Sequence, residues 1–141
     1  MKHLGDIMQI DGGKIEPVHV ITAGSPCQDL SIAGNRAGLA GERSGLFMEF
    51  VRIIKEMRRE TNGVYPAFAV WENVPGAFSS NKGEDFRCVL EELAKIREPG
   101  ASVPRPDKGK WRTAGAIVGS DWSIAWRVMD SQKLGSAPKT P

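Results

Sequence analysis

Residues Val18-His19-Val20-Ile21-Thr22-Ala23-Gly24-Ser25-Pro26-Cys27-Gln28-Asp29-Leu30-Ser31 decide how this chain is read: an apolar, strand-like run empties into a glycine-led loop that carries a thiol. Open parallel sheets collect ligands and reacting groups outside the carboxyl ends of their strands, where loops vary without disturbing the core. Cys27 stands at such an end. Taken alone, a cysteine after a strand is more often a buried, inert thiol, so its surroundings must decide its role.

Working outward, the pattern predicts a helix over 45–60, because Leu46, Phe47, Phe50, Val51, Ile53, Ile54 and Met57 recur at helical spacing between Ser44, a candidate N-cap, and Asn62-Gly63. A second short apolar run, Ala67-Phe68-Ala69-Val70-Trp71, leads into Glu72-Asn73-Val74-Pro75-Gly76. A helix over 83–97 follows, with Phe86, Val89, Leu90, Leu93 and Ile96 on one stripe and Pro99-Gly100 as its stop. Strand, crossover helix and strand form a right-handed parallel unit almost without exception. Cys27 and Glu72 are therefore expected at the carboxyl ends of neighbouring strands. Residues 99–119, rich in Pro, Gly, Lys and Arg, read as a long loop, and the alternation over 122–129 reads as a third strand.

The length of 141 residues suits one modest domain or part of one, and 40% hydrophobic with 26% charged residues excludes wholesale disorder. No apolar run approaches the roughly 20 residues of a membrane span, and the opening residues lack a signal-peptide core, so a cytoplasmic location with no membrane partner is expected. Two cysteines make neither a disulfide framework nor a zinc-ligand spacing, and no metal is expected. The net charge of +2 neither demands nor excludes a polyanion. A local basic excess, Arg97, Arg105, Lys108, Lys110 and Arg112, reads equally as a phosphate contact or a solvated loop.

A thiol attacks as thiolate, and at an ordinary pKa of about 8.5 little is ionised near neutrality. Pro26 stiffens the backbone before Cys27, and the loop beyond it, with Gly34, Gly38, Gly41 and Arg43, suits closure over an anionic substrate. Glu72 follows apolar residues, where partial burial would make it a proton donor. Together, a thiol and an acid-amide pair at adjacent strand ends suggest covalent attack on an electrophile that is protonated at the same time. A cysteine hydrolase fits poorly, because His19 lies inside the strand and nothing marks His3 as a base. Cys88 falls on the apolar side of its helix and reads as packing, as do Trp71 and Trp126.

Ser25-Pro26-Cys27-Gln28 with Asp29-Leu30-Ser31, and Glu72-Asn73-Val74, resemble the catalytic Pro-Cys-Gln and Glu-Asn-Val motifs of the cytosine-C5 DNA methyltransferases. Gly5-Asp6-Ile7 and Arg43-Ser44-Gly45-Leu46-Phe47 resemble two further motifs of that family, in the same order, and the closest flavour is that of phage and prophage enzymes. The resemblance implies a partial Rossmann-like doubly wound α/β sheet of the S-adenosylmethionine-dependent methyltransferase type. It also implies Cys27 as nucleophile on cytosine C6, Glu72 at N3 and the amino group, and Asn73 orienting the acid. By the same analogy Asp6, Pro26 and Leu46 contact S-adenosylmethionine, and Gln28, Ser31 and Arg43 contact the substrate, double-stranded DNA with the target base flipped out.

The family's opening Phe-x-Gly-x-Gly turn, its Gln-x-Arg-x-Arg motif and its target-recognition region are not found in residues 1–141. The chain is therefore expected to be the central part of a catalytic domain, working with a complementing polypeptide or derived from a longer protein. Two other readings stay open: a truncated remnant that binds nucleic acid weakly at most, and an RNA cytosine methyltransferase sharing the same motifs.

Overall fold

A computed structural model describes residues 2–24 and 45–130. It is a mixed α/β arrangement with four short strands and two main helices in chain order: β1 (Val20–Gly24), α1 (Gly45–Glu60), β2 (Phe68–Glu72), α2 (Glu84–Ala94), β3 (Ala114–Val118) and β4 (Ser123–Arg127). The first two strands pair in parallel, in register from Val20 opposite Phe68 to Gly24 opposite Glu72. The β1–α1–β2 crossover expected from the sequence is thus present, with the strands beginning one or two residues later than their apolar runs.

Alternation along the strands sorts the sheet into two faces. Ile21, Ala23 and Trp71 point into a core built by Phe47, Phe50, Val51 and Ile54 of α1, by Phe86, Val89 and Leu90 of α2, and by Ala77 and Val103. Trp71 meets Phe47 edge to face at 5.6 Å. Val20, Phe68 and Val70 occupy the other face and are 47, 69 and 51% exposed. Among the described residues no element covers them.

Two expectations need correction. The segment read as a continuous loop over 99–119 contains β3, and the strand expected over 122–129 is its antiparallel partner β4, not a neighbour of β1 or β2. The sheet of the described residues is therefore two-stranded, with a separate hairpin. Gly115 hides the first of these strands from pattern reading: a Cβ there would come within 2.8 Å of the Trp126 ring, so close packing of that indole selects glycine over a strand-forming residue. Trp126 in turn packs edge to face on Phe86 and Trp111, fastening the hairpin to α2.

α2 is held by ion pairs as well as by apolar burial. Arg87 donates to Glu84 and Glu91 and to the Val103 carbonyl, while Glu91 accepts from the Val103 N–H and from Lys95. Burial pushes the Glu91 carboxyl up, but hydrogen bonds from Lys95, the Val103 N–H and Arg87 outweigh it and bring it down to about 2.

Candidate functional site

The carboxyl ends of β1 and β2 lie side by side, because Gly24 and Glu72 form the last pair of the register. The approach is close: a Cβ on Gly24 would stand 3.2 Å from Glu72 Oε2. The carboxylate thus lies over the end of β1, immediately before Ser25-Pro26-Cys27, in space that glycine leaves open. Partial burial is predicted for Glu72, yet it is exposed. It shares that face with Val20, Phe68 and Val70, so among the described residues the strand end supplies proximity without enclosure.

Asn73, half-buried, turns the chain away from the strand: its Oδ1 accepts from the Val74 N–H at 2.8 Å, and a 3-10 turn at Pro75–Phe78 follows. Asp6 sits on a second turn. Gly5, at φ 88°, reverses the backbone, and Asp6 Oδ1 then accepts the Met8 N–H at 3.0 Å, capping the 3-10 turn Ile7–Gln9. The Asp6 carboxylate remains exposed and open to a further donor. Leu46, 42% exposed, stands at the second position of α1 beside buried Phe47. Pro26, Cys27, Gln28, Ser31 and Arg43 lie outside the described residues.

Sequence reasoning missed what fixes the Asp6 turn. Arg52 of α1 donates to the carbonyls of Ile7 (3.0 Å) and Ile10 (2.8 Å), and Glu56 Oε2 accepts the Gly12 N–H at 2.7 Å. Glu49 and Glu56 hold the guanidinium in place and raise its pKa through their hydrogen bonds. Gly12 is buried against α1, where a Cβ would stand 2.5 Å from the Ile53 carbonyl oxygen. In sequence, Glu49, Arg52 and Glu56 resemble an ordinary solvated i, i+3, i+4 pattern, and only the Gly12-Gly13 pair signals a close approach.

Other residues fall where the sequence puts them. Cys88 is buried in α2. His19 is an edge residue, packed on Tyr65 at 4.8 Å, and its carbonyl accepts from Ala67 and Phe68. Within the basic stretch, Arg105 pairs with Glu84 and Arg97 with Asp121. Among the described residues no three His, Cys, Asp or Glu side chains converge as a metal site, and no helix is long and apolar enough to cross a membrane.

The model of the C-5 cytosine-specific DNA methylases matches residues 1–97, which contain both strand ends and the Asp6 turn. The chain belongs to the C-5 cytosine-specific DNA methylase family. It is 34% identical to the DNA N-6-adenine-methyltransferase of Escherichia phage P1 over 160 residues, covering 97% of the chain and 21% of that protein. It is 33% identical over 94 residues to the orphan methyltransferase M.SPRI of Bacillus phage SPR, covering 67% of the chain and 20% of that protein. With the type II methyltransferase M.BsuFI of Bacillus subtilis the identity is 34% over 131 residues, covering 93% of the chain and 24% of that protein. The chain thus spans about a fifth to a quarter of the length of these curated relatives.

Proposed function

We propose that this chain carries the covalent half of a DNA cytosine-C5 methyl transfer, with S-adenosylmethionine as methyl donor and a flipped cytosine of double-stranded DNA as acceptor. The observation that carries the reading is the Gly24–Glu72 pair, which puts an acid beside the start of the Pro26-Cys27 loop in a chain of the methylase family. The Cys27 thiolate adds to C6 while Glu72 delivers a proton to N3, so the electron pair gathers at C5. S-adenosylmethionine, when bound, would supply an electrophilic methyl to that carbon, its S–CH3 bond breaking to leave the neutral thioether. Loss of the C5 proton to a base, expulsion of the thiolate from C6 and return of the N3 proton to Glu72 restore the ring with methyl in place of hydrogen. Asn73, closing the turn after Glu72, keeps the acid at the strand end.

The Asp6 carboxylate suits an adenine amino group, since it is exposed and offers acceptor capacity beyond its bond to Met8. Leu46 offers an apolar contact, and Pro26 completes the cofactor side. Gln28, Ser31 and Arg43 engage the DNA around the flipped base.

In this reading β1 and β2 are inner strands of a Rossmann-like doubly wound sheet, and residues 1–141 are the central part of the catalytic domain. Parallel sheets are covered on both faces, so the exposed Val20, Phe68 and Val70 support a second layer supplied by further polypeptide. The same polypeptide would carry the opening glycine turn and the target-recognition region.

A duplex containing 5-fluorocytosine, incubated with S-adenosylmethionine and the chain together with a complementing fragment, tests the chemistry. Fluorine cannot leave C5 as a proton does, so the adduct persists and migrates as a protein–DNA species on a denaturing gel. Cys27→Ser should abolish it, and Glu72→Gln should slow its formation by about 100-fold or more. Absence of any adduct would overturn the proposal. The name of the phage P1 relative, a DNA N-6-adenine-methyltransferase, favours an adenine-directed second reading, but about four-fifths of that protein lies outside the matched region. Methyl transfer to adenine N6 without a thiol adduct would establish that alternative.

A further inference from the structure

A cationic cavity of about 530 Å³ lies at the opposite end of the molecule, lined by Lys55, Arg58 and Arg59 of α1 and by Lys95 and Arg97 at the end of α2. Because β1 and β2 are parallel, α1 runs back from their carboxyl ends. Its 16 residues at 1.5 Å each separate the cavity from the Glu72 strand end by about 24 Å of helix.

Helix dipoles favour cations at helix C-termini, which explains Arg58 and Arg59 in the last turn of α1 and Lys95 capping α2 separately. It does not explain why both helices bring them to one concavity that no carboxylate of the described residues lines. The carboxylates that meet these cations do so from outside: Glu60 on Arg59 at 3.7 Å, Glu91 and Glu92 on Lys95 at 3.0 and 3.4 Å, and Asp121 on Arg97. Arg58 spends its donors on neutral groups, the carbonyls of Gly63 and Pro66. The two guanidiniums crowd across one glycine: a Cβ on Gly63 would lie 3.5 Å from Arg58 Nη2 and 3.6 Å from Arg97 Nη1. Burial and the neighbouring Arg97 charge both lower the pKa of Arg58, as expected of a cation facing a cation.

We propose that this cavity binds a phosphate-bearing anion, at a site separate from methyl transfer. Guanidinium forks match phosphate oxygens two at a time, and Lys55 and Lys95 add point charges. The volume lies within the range of small-molecule sites, and a bound anion would relieve the Arg58–Arg97 repulsion. The phosphate belongs either to a free phosphorylated compound or to a DNA backbone segment.

Calorimetric titration of the full chain with sodium pyrophosphate tests the site. The comparison is a Lys55→Gln, Arg59→Gln double variant, since both side chains are exposed and neither donates to backbone in the described structure. Wild type should bind saturably, more weakly as salt rises, and the double variant about tenfold more weakly, with an unchanged circular dichroism spectrum. No saturable binding, or binding that the double variant leaves intact, overturns the proposal. So does a glutamate-rich peptide that binds more tightly than pyrophosphate with the same sensitivity. A short duplex displaced by pyrophosphate and weakened by the variant assigns the phosphate to DNA; a duplex indifferent to both assigns it to a free compound. None of these readouts depends on whether Cys27 forms an adduct.

Discussion

The two faces of the β1–β2 sheet are built from the same kinds of residue and have opposite fates. On the helix side, Ile21, Ala23 and Trp71 meet a core in which Phe47, Val51 and Val89 are at most 1% exposed. On the other side, Val20, Phe68 and Val70 remain in contact with solvent. The difference teaches that strand composition reports the number of layers a sheet is made for, whereas exposure reports the layers it has. An apolar residue on an uncovered face contributes little to folding and much to association.

Truncation on the two faces separates them most sharply. Phe47→Ala should cost about 3–5 kcal/mol in a urea melt, through lost burial and a cavity, while Phe68→Thr should stay within about 0.5 kcal/mol. A comparable loss from Phe68→Thr would mean that the outer face is covered in solution. A smaller effect is expected from the ion pairs that lock the helix layer. Glu91→Gln should cost about 3 kcal/mol, because it leaves Arg87 buried with fewer partners.

The same carboxylate gives a pH dependence. Its folded pKa of about 2 lies below the ordinary 4.5, so its contribution is complete above about pH 5 and is lost as pH falls through the window from 4.5 toward 2. Urea midpoints at pH 6 and pH 3 should differ more for wild type than for Glu91→Gln. Of the changes expected to destabilise, the smallest is Gly12→Ala, about 1–3 kcal/mol from the clash with the Ile53 carbonyl. It should free the opening segment to limited proteolysis while leaving α1 and β2 protected, and uniform protection throughout would break the link between Arg52 and the Asp6 turn.

What the sequence made legible was whatever repeats. The stripe Phe47, Phe50, Val51, Ile54 announces α1, and two apolar runs flanking it announce a parallel pair, so the placement of Glu72 at a strand end beside β1 follows from pattern and chain handedness. Features resting on one-off packing were not legible. Gly115 sits under the Trp126 ring and so weakens the strand signal of β3, and the Arg87–Glu91 pair looks like a solvated helix face although both groups are buried. The exposure of Glu72 could not be read either, because it depends on a neighbouring layer rather than on residues 67–76. Asp6 showed itself only as a short motif; the Arg52 grip on its turn needs contacts more than 40 residues apart.

The register that sets Gly24 against Glu72 also has a history in time. Pairing Val20 with Phe68 closes a loop of about 50 residues, whereas α1 and α2 form from neighbours three and four apart. Local helices can assemble in microseconds, and the parallel pair must wait for α1 to lie down and for chain through residue 72 to be available. The Gly24–Glu72 juxtaposition, on which the proposed chemistry rests, is therefore among the last acts of folding. During synthesis, Gly24 emerges well before the acid that is to stand beside it.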